Sequence, residues 1–378
     1  MAGAKPWSLV LIVLFMMSLS SLVNGAGDNN NNDEGLGASF IFGYSLVDAG
    51  NNNYLQTLSK ANVPPNGIDF KASAGQPTSR YATGRTIGDI VREELGVPNY
   101  AVPYLAPNST GKAIVKGVNY ASGGGIMNST GSIFVNRLGL DIQIDYFNNT
   151  RKLLDDLLGA SEAKDYISKR SILSITIGSN DFLNNYLLPL VSTGHRIFGN
   201  PDAYIDGMIN HLRNQLTRLY QLNARKFIAA NVGPVGCIPY QKMINQFKEN
   251  QCVDLANKLA MQCNRQLKSL LSELNGKLQG AIFVHADVYD LVMELIAKYA
   301  QYGFTTAGRA CCGIGNVGQF SGIIPCGPTS SLCDDQDKHV FWDAYHPSEA
   351  ANLIIARQLV YGSTQYISPV NLKQLRNL

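Results

Sequence analysis

Ser39-Phe40-Ile41-Phe42-Gly43-Tyr44-Ser45-Leu46 decides how the rest of the chain reads: a short apolar run, a glycine that ends it, and a serine delivered just beyond the turn. Apolar runs of this length, bounded by turn residues, form buried strands. Others follow at Gly117 to Ala121, Ile172 to Ile177, Lys226 to Val232 and Ala281 to His285. Between them apolar residues recur every three or four positions. Ile205, Ile209, Leu212, Leu216 and Leu219 do so in Asp202 to Leu222, and Leu255, Leu259, Leu267, Leu270 and Leu274 in Asp254 to Leu274. Such stripes are the packed faces of amphipathic helices. Strands alternating with helices predict an α/β fold around a mainly parallel, five-stranded sheet. In open sheets of this kind ligands bind at the carboxyl ends of the strands. The first four strands are followed by Ser45, by Ser122-Gly123-Gly124-Gly125, by Gly178-Ser179-Asn180-Asp181 and by Gly233-Pro234-Val235-Gly236, so one crevice is expected to gather these segments.

The 378 residues carry 16% charged side chains and a net charge of +3, with no run of Lys or Arg, so no nucleic-acid surface is expected. Lys5, the apolar run from Trp7 to Val23 and the small residues Gly25 and Ala26 have the layout of a secretory signal peptide over residues 1–25. The competing reading, a membrane anchor, lacks the stop-transfer charges that should follow, so no stable span is expected once the signal is removed. An Asn-rich polar linker (26–37), a single domain (38–365) and a C-terminal tail (366–378) complete the expected organisation. Sequons at Asn108, Asn128 and Asn148 agree with secretion. The seven cysteines would mostly pair in an oxidising compartment, and their odd number leaves at least one over. No CxxC pair stands with a matching His set, so no zinc site is expected. Oligomeric state is not written in the sequence.

A serine hydroxyl becomes a nucleophile when a base takes its proton and a third group holds that base in the right tautomer. Asp343-Ala344-Tyr345-His346-Pro347 supplies both: with Asp343 three residues before His346 on a turn, its carboxylate reaches one imidazole nitrogen while the other faces Ser45. An ordinary helix start with a surface Asp and His fits this short motif equally well. Pro347 suits the first turn of the helix that follows, with Ala350, Ile354 and Leu359 on its buried side. The charge that develops on a carbonyl oxygen needs fixed donors. Backbone amides around Gly123 and Gly124, the side-chain amide of Asn180 and the amide of Ser45 are the candidates, although Asn180 equally suits a helix cap. His285 and His339 read as structural or surface histidines, and His195 and His211 fall in a loop and a helix without a motif partner.

Taken in order, these residues resemble the plant GDSL esterase/lipase family of the SGNH-hydrolase superfamily. The resemblance runs from about Phe40 to Leu359. It includes Val47-Asp48-Ala49-Gly50-Asn51-Asn52-Asn53-Tyr54, Asn119-Tyr120-Ala121-Ser122, Cys311-Cys312-Gly313 and Phe341-Trp342-Asp343. It implies a three-layer α/β/α, flavodoxin-like fold, an ester or lipid substrate, no metal or cofactor, and secretion to the cell wall or apoplast. It further implies Ser45 as nucleophile, His346 as base, Asp343 as its partner, and an oxyanion hole of Ser45, Gly123 or Gly124, and Asn180. Three positions depart from the family pattern. Tyr44 stands where the family has Asp, the glycine run ends one residue early at Ile126, and Ser79 stands where glycine is usual. Tyr44 is not the triad position, so the proton relay is retained, yet a phenol does not replace a buried anion that shapes the Ser45 turn. The expected function is a secreted serine esterase working through an acyl-serine. The alternatives are a pseudo-hydrolase that binds acyl or cell-wall esters, and an acyltransferase using the same acyl-enzyme.

Overall fold

The computed structural model describes residues 36–127, 136–187, 200–246, 248–314 and 325–378. Its main sheet is built from β1 (Ala38–Gly43), β2 (Val102–Pro103), β3 (Val118–Asn119), β4 (Ser171–Thr176), β5 (Lys226–Ala230), β6 (Ile282–Ala286) and β7 (Ile367–Ser368). They lie in the order β7-β6-β5-β4-β1-β3-β2. The five expected strands are its centre, all parallel. Two-residue strands extend it at both edges, β2 parallel and β7 antiparallel, and neither is long enough to leave a periodic signal in the sequence.

Flanking helices include α1 (Ile87–Glu94), α2 (Leu140–Leu158), α3 (Pro201–Gln221), α4 (Asp254–Lys277), α5 (Glu349–Tyr361) and α6 (Leu372–Arg376). Alternation along the strands sends Phe40, Phe42, Leu173 and Phe227 to one face of the sheet. There Phe147 of α2 meets Phe40 and Phe42 edge-on, with ring centroids 5.2 and 5.7 Å apart, and α3 and α4 continue the layer. The opposite face is covered by α1 and α5, packed on each other, with Gly88 against Ile41. The result is the three-layer α/β/α arrangement. A reciprocal capping box between Thr86 and Asp89 starts α1, and the Ser348 hydroxyl caps α5.

Some expectations move. Pro347 precedes the α5 cap instead of sitting in its first turn, and Ala350 and Ile354 are half-buried while Ala351, Ile355 and Leu359 face inward. Leu255, in the first turn of α4, is 60% exposed and does not belong to the packed stripe. Residues 366–378 are no loose tail: β7 completes the sheet, and Leu372 and Leu375 of α6 are buried in the core. The linker also ends sooner than expected, since Leu36 is buried and the Gly37 amide donates to the Arg170 carbonyl at 2.7 Å.

Disulfides join Cys237 to Cys252, Cys311 to Cys333 and Cys312 to Cys326, leaving Cys263 reduced and buried on α4. Among the described residues no helix is long and apolar enough to cross a membrane. Of the sequons, Asn108 is exposed, Asn128 lies outside the described residues, and Asn148 is half-buried within α2. The third residue of that last sequon, Thr150, is internal and its hydroxyl accepts from Tyr120 at 2.8 Å.

Candidate active site

The turn after β1 is shaped by backbone contacts before any catalytic side chain enters. A Cβ on Gly43 would lie 2.3 Å from the Thr176 carbonyl oxygen, so only glycine lets β1 pass β4 this closely. Gln143, buried on α2, clamps the same residue from the other side: its Oε1 accepts the Gly43 N–H at 2.9 Å and its Nε2 donates to the Gly43 carbonyl at 2.9 Å. Beyond Ser45 the carboxylate of Asp48 accepts the N–H groups of Gly50 and Asn51 at 2.8 and 2.9 Å. Asn51 ties this turn to β3 through the Asn119 and Ala121 carbonyls, and Asn119 returns a bond to the Val47 carbonyl at 2.6 Å. Burial pushes Asp48 up to about 6 against the pull of those amides and of Arg80. Ser79 has a left-handed φ of 70°, which accounts for the usual glycine there, and its hydroxyl bonds to Asn53.

Tyr44 turns away from this network. Its phenol is buried and shares a hydrogen bond of 2.9 Å with the Ser179 hydroxyl, on the loop after β4, and burial pushes its pKa up to about 12. It therefore acts as a neutral bridge between the loop bearing Ser45 and the loop bearing Asn180.

The Ser45 hydroxyl lies 2.7 Å from His346 Nε2, and His346 Nδ1 lies 2.8 and 2.9 Å from the two Asp343 oxygens. Asp343 is fully buried; its Oδ1 also accepts the amides of Tyr345 and His346, both at 2.8 Å, and its Oδ2 the amide of Cys326 at 3.4 Å. Tyr81 stacks on the imidazole with ring centroids 4.9 Å apart, fixing the ring plane. The arrangement supplies what proton removal from a serine requires: a base in contact with the hydroxyl and a carboxylate on its far nitrogen.

The glycine run lies alongside. Gly124 donates its N–H to the Ser122 carbonyl at 2.8 Å, and a Cβ there would sit 2.2 Å from the Leu138 carbonyl oxygen. Its amide is therefore spent inside the loop. Gly123 faces the cavity, and among the described residues its N–H and that of Ser45 make no hydrogen bond. Asn180 sits beside them with Nδ2 2.9 Å from the Gly123 carbonyl and 3.1 Å from that of Gly124. Its amide holds the loop, and one of those bonds must open before it donates to a substrate. Asp181 completes the clamp by accepting the Ile126 and Met127 amides at 2.8 and 2.9 Å; burial pushes its carboxyl up to about 6.

Ser45, Gly123, Asn180, Gly233, Pro234 and His346 line one cavity of about 570 Å³, so the expected convergence at the strand ends is present. Among the described residues Lys60 and Arg137 are the charged side chains on its wall. Burial holds the Arg137 guanidinium below its ordinary value. The remaining histidines are elsewhere. His211 pairs with Asp141 at 2.7 Å, a partner the sequence does not announce; His339 bonds to the Asp335 carbonyl; His285 is buried with burial lowering its pKa. His195 lies outside the described residues. Cys311 and Cys333 come near His339, but as a disulfide they offer no thiolate to a metal. Gln143 and Tyr81 escape a reading by motif, the nearest signal being a lone Gln on the apolar face of α2, while the Gly178-Ser179-Asn180-Asp181 segment does not announce the clamping role of Asp181.

The family model for GDSL-like Lipase/Acylhydrolase matches residues 40–359. The chain is 68% identical to GDSL esterase/lipase At2g23540 of Arabidopsis thaliana, over 99% of this chain and 97% of the relative. It is 62% identical to GDSL esterase/lipase At3g50400 of the same plant, over 98% of each. For GDSL esterase/lipase At4g16230, also from Arabidopsis thaliana, the identity is 51% over 90% of this chain and 91% of the relative.

Proposed function

This chain belongs to the GDSL-like lipase/acylhydrolase family, whose members cleave ester bonds, and from that premise we propose that it hydrolyses carboxylic esters through a covalent acyl-serine formed on Ser45. The observation that carries the reading is the unbroken chain from Ser45 Oγ through His346 to the buried Asp343 carboxylate. His346 Nε2 takes the hydroxyl proton as Ser45 Oγ attacks the carbonyl carbon, and the same proton passes to the departing alkoxide as the ester C–O bond breaks. Water then repeats the sequence on the acyl-serine, with His346 as base. The amides of Ser45 and Gly123 receive the oxyanion, with Asn180 as a third donor after it releases a loop carbonyl.

The Tyr44 position supports competence, because the phenol is accommodated without moving Ser45 out of reach of His346. The signal-peptide layout of residues 1–25, three disulfides and the exposed Asn108 support export to the cell wall or apoplast, with Asn108 a better-placed glycan acceptor than the half-buried Asn148. Hydrolysis of short-chain p-nitrophenyl esters and phosphonate labelling test the reading in wild type, Ser45→Ala and Tyr44→Asp. Turnover and labelling of wild type, both absent in Ser45→Ala, is the expected outcome. A folded but silent wild type revived by Tyr44→Asp would mean that Tyr44 disables the site; silence in both would favour a binding protein.

A further inference from the structure

We propose that the acyl chain of the substrate enters the molecule, in a channel that leaves Ser45 and runs between the sheet and helices α1 and α5. The inference rests on the serine-hydrolase reading and names the part of the substrate that this cavity takes. The cavity does not stop at the strand ends. It follows the α1 and α5 side of the sheet as far as Ile172 and Ser39, near the opposite ends of β4 and β1. From Thr176 to Ile172 that is about 13 Å at a strand rise of roughly 3.3 Å per residue, the reach of a medium-chain acyl group.

The choice of residues points the same way. Parallel strands covered on both sides are normally filled by large apolar side chains on both faces. The α2 side obeys, with Phe40, Phe42, Leu173 and Phe227, whereas on the α1 and α5 side Ile41, Ile172, Ile228 and Val284 are interspersed with the small residues Ser39, Ser174, Thr176, Ala230 and Ala286. Small side chains would let the helices settle closer and close the space, yet they have not. Ser174 and Thr176 belong to an inner strand and remain partly accessible, as do Ile87 and Val91 on α1. All four of these residues line the cavity. An empty void beside a core forfeits dispersion contacts, and apolar cavities take up apolar ligands in preference to water. Among the described residues its charged lining is confined to Lys60, bonded to the Asn53 carbonyl, and Arg137, against Gly123, both by the Ser45 loops. The rest of the described lining is neutral and mainly aliphatic, with the hydroxyls of Ser39, Ser174 and Thr176 and the amides of Asn231 and Asn352 interspersed.

Ser174→Leu and Val91→Trp each narrow the channel at a distance from the triad. We expect kcat/KM for p-nitrophenyl butyrate to stay within about threefold of wild type while that for p-nitrophenyl dodecanoate falls about tenfold or more, the scale on which a filled apolar pocket discriminates. Equal loss on both esters, or none on either, overturns the channel. Because a bulky residue can disturb folding, a second measurement uses Ser174→Cys with thiol labelling read by peptide mass. Prior reaction of Ser45 with a dodecyl fluorophosphonate should protect the new thiol, and a methyl fluorophosphonate should not; equal protection by both overturns the proposal. Wild type silent on every ester and unlabelled by either phosphonate would instead sink the serine-hydrolase reading and the channel with it, a pattern distinct from loss of chain-length discrimination alone.

Discussion

Tyr44 links two loops through one hydrogen bond, so its contribution is separable from that of the triad. Tyr44→Phe should cost about 1 kcal/mol of stability, the usual worth of a buried neutral hydrogen bond, and leave kcat within a few-fold; urea unfolding and ester kinetics check both. Asp343→Asn should behave differently. It keeps the shape but presents His346 with the wrong partner, and turnover should fall on the order of 10⁴-fold with the fold intact by circular dichroism. The residues that chemistry restricts to one or two types, Ser45, Asp343, His346, Gly123 and Asn180, are readable from sequence because each follows a strand or sits in a short motif. Gln143 and Tyr81 are not. Gln143 meets Gly43 across 100 positions, and Tyr81 contributes a ring face, which any aromatic residue in any loop could offer.

Among the elements, the Cys312–Cys326 bridge bears directly on the site. The Cys326 amide donates to Asp343, its carbonyl accepts from Asn66, and Asn66 in turn accepts the Trp342 indole N–H at 3.0 Å. Replacing both cysteines by Ala should cost about 2–4 kcal/mol, as for other bridges closing loops of this length. It should also lower kcat more than it raises KM, because the residue 326 amide, though kept in the variant, is no longer held against Asp343 by the bridge. The same change at Cys237 and Cys252 should cost comparable stability and leave kcat nearly untouched, so the two double variants assayed side by side separate bridging from positioning. The central strands are legible as elements because four of them run five or six mostly buried residues, and around the two-residue β3 the run from Gly117 to Ala121 is buried throughout. The edge strands β2 and β7 are not, since their pairing depends on where the neighbouring strand lies and not on local composition. The same limit explains why residues 366–378 read as a tail although α6 is packed into the core.

For the molecule as a whole, two buried carboxyls set a pH dependence. Asp48 and Asp181 hold the loops of Ser45 and of the glycine run, and burial pushes each from an ordinary value of 3.8 to about 6. A carboxyl whose folded pKa lies above its unfolded one contributes stability that is fully present below about 4 and is lost as pH rises through about 6. Each should account for on the order of 1–3 kcal/mol between pH 4 and pH 7. The Asp48→Asn/Asp181→Asn variant should show a flatter dependence of unfolding free energy on pH than wild type across that window; parallel curves would contradict the assignment. A different consequence follows from Cys263. Its thiol is buried on α4 and pushed up to about 12, while the other six cysteines are bridged. At neutral pH an alkylating reagent therefore finds no reactive sulfur in an intact molecule, and each modified Cys263 records one opening of the core. The unpaired cysteine is a built-in clock for unfolding, and folding withdraws it from exchange with the three bridges during oxidative maturation.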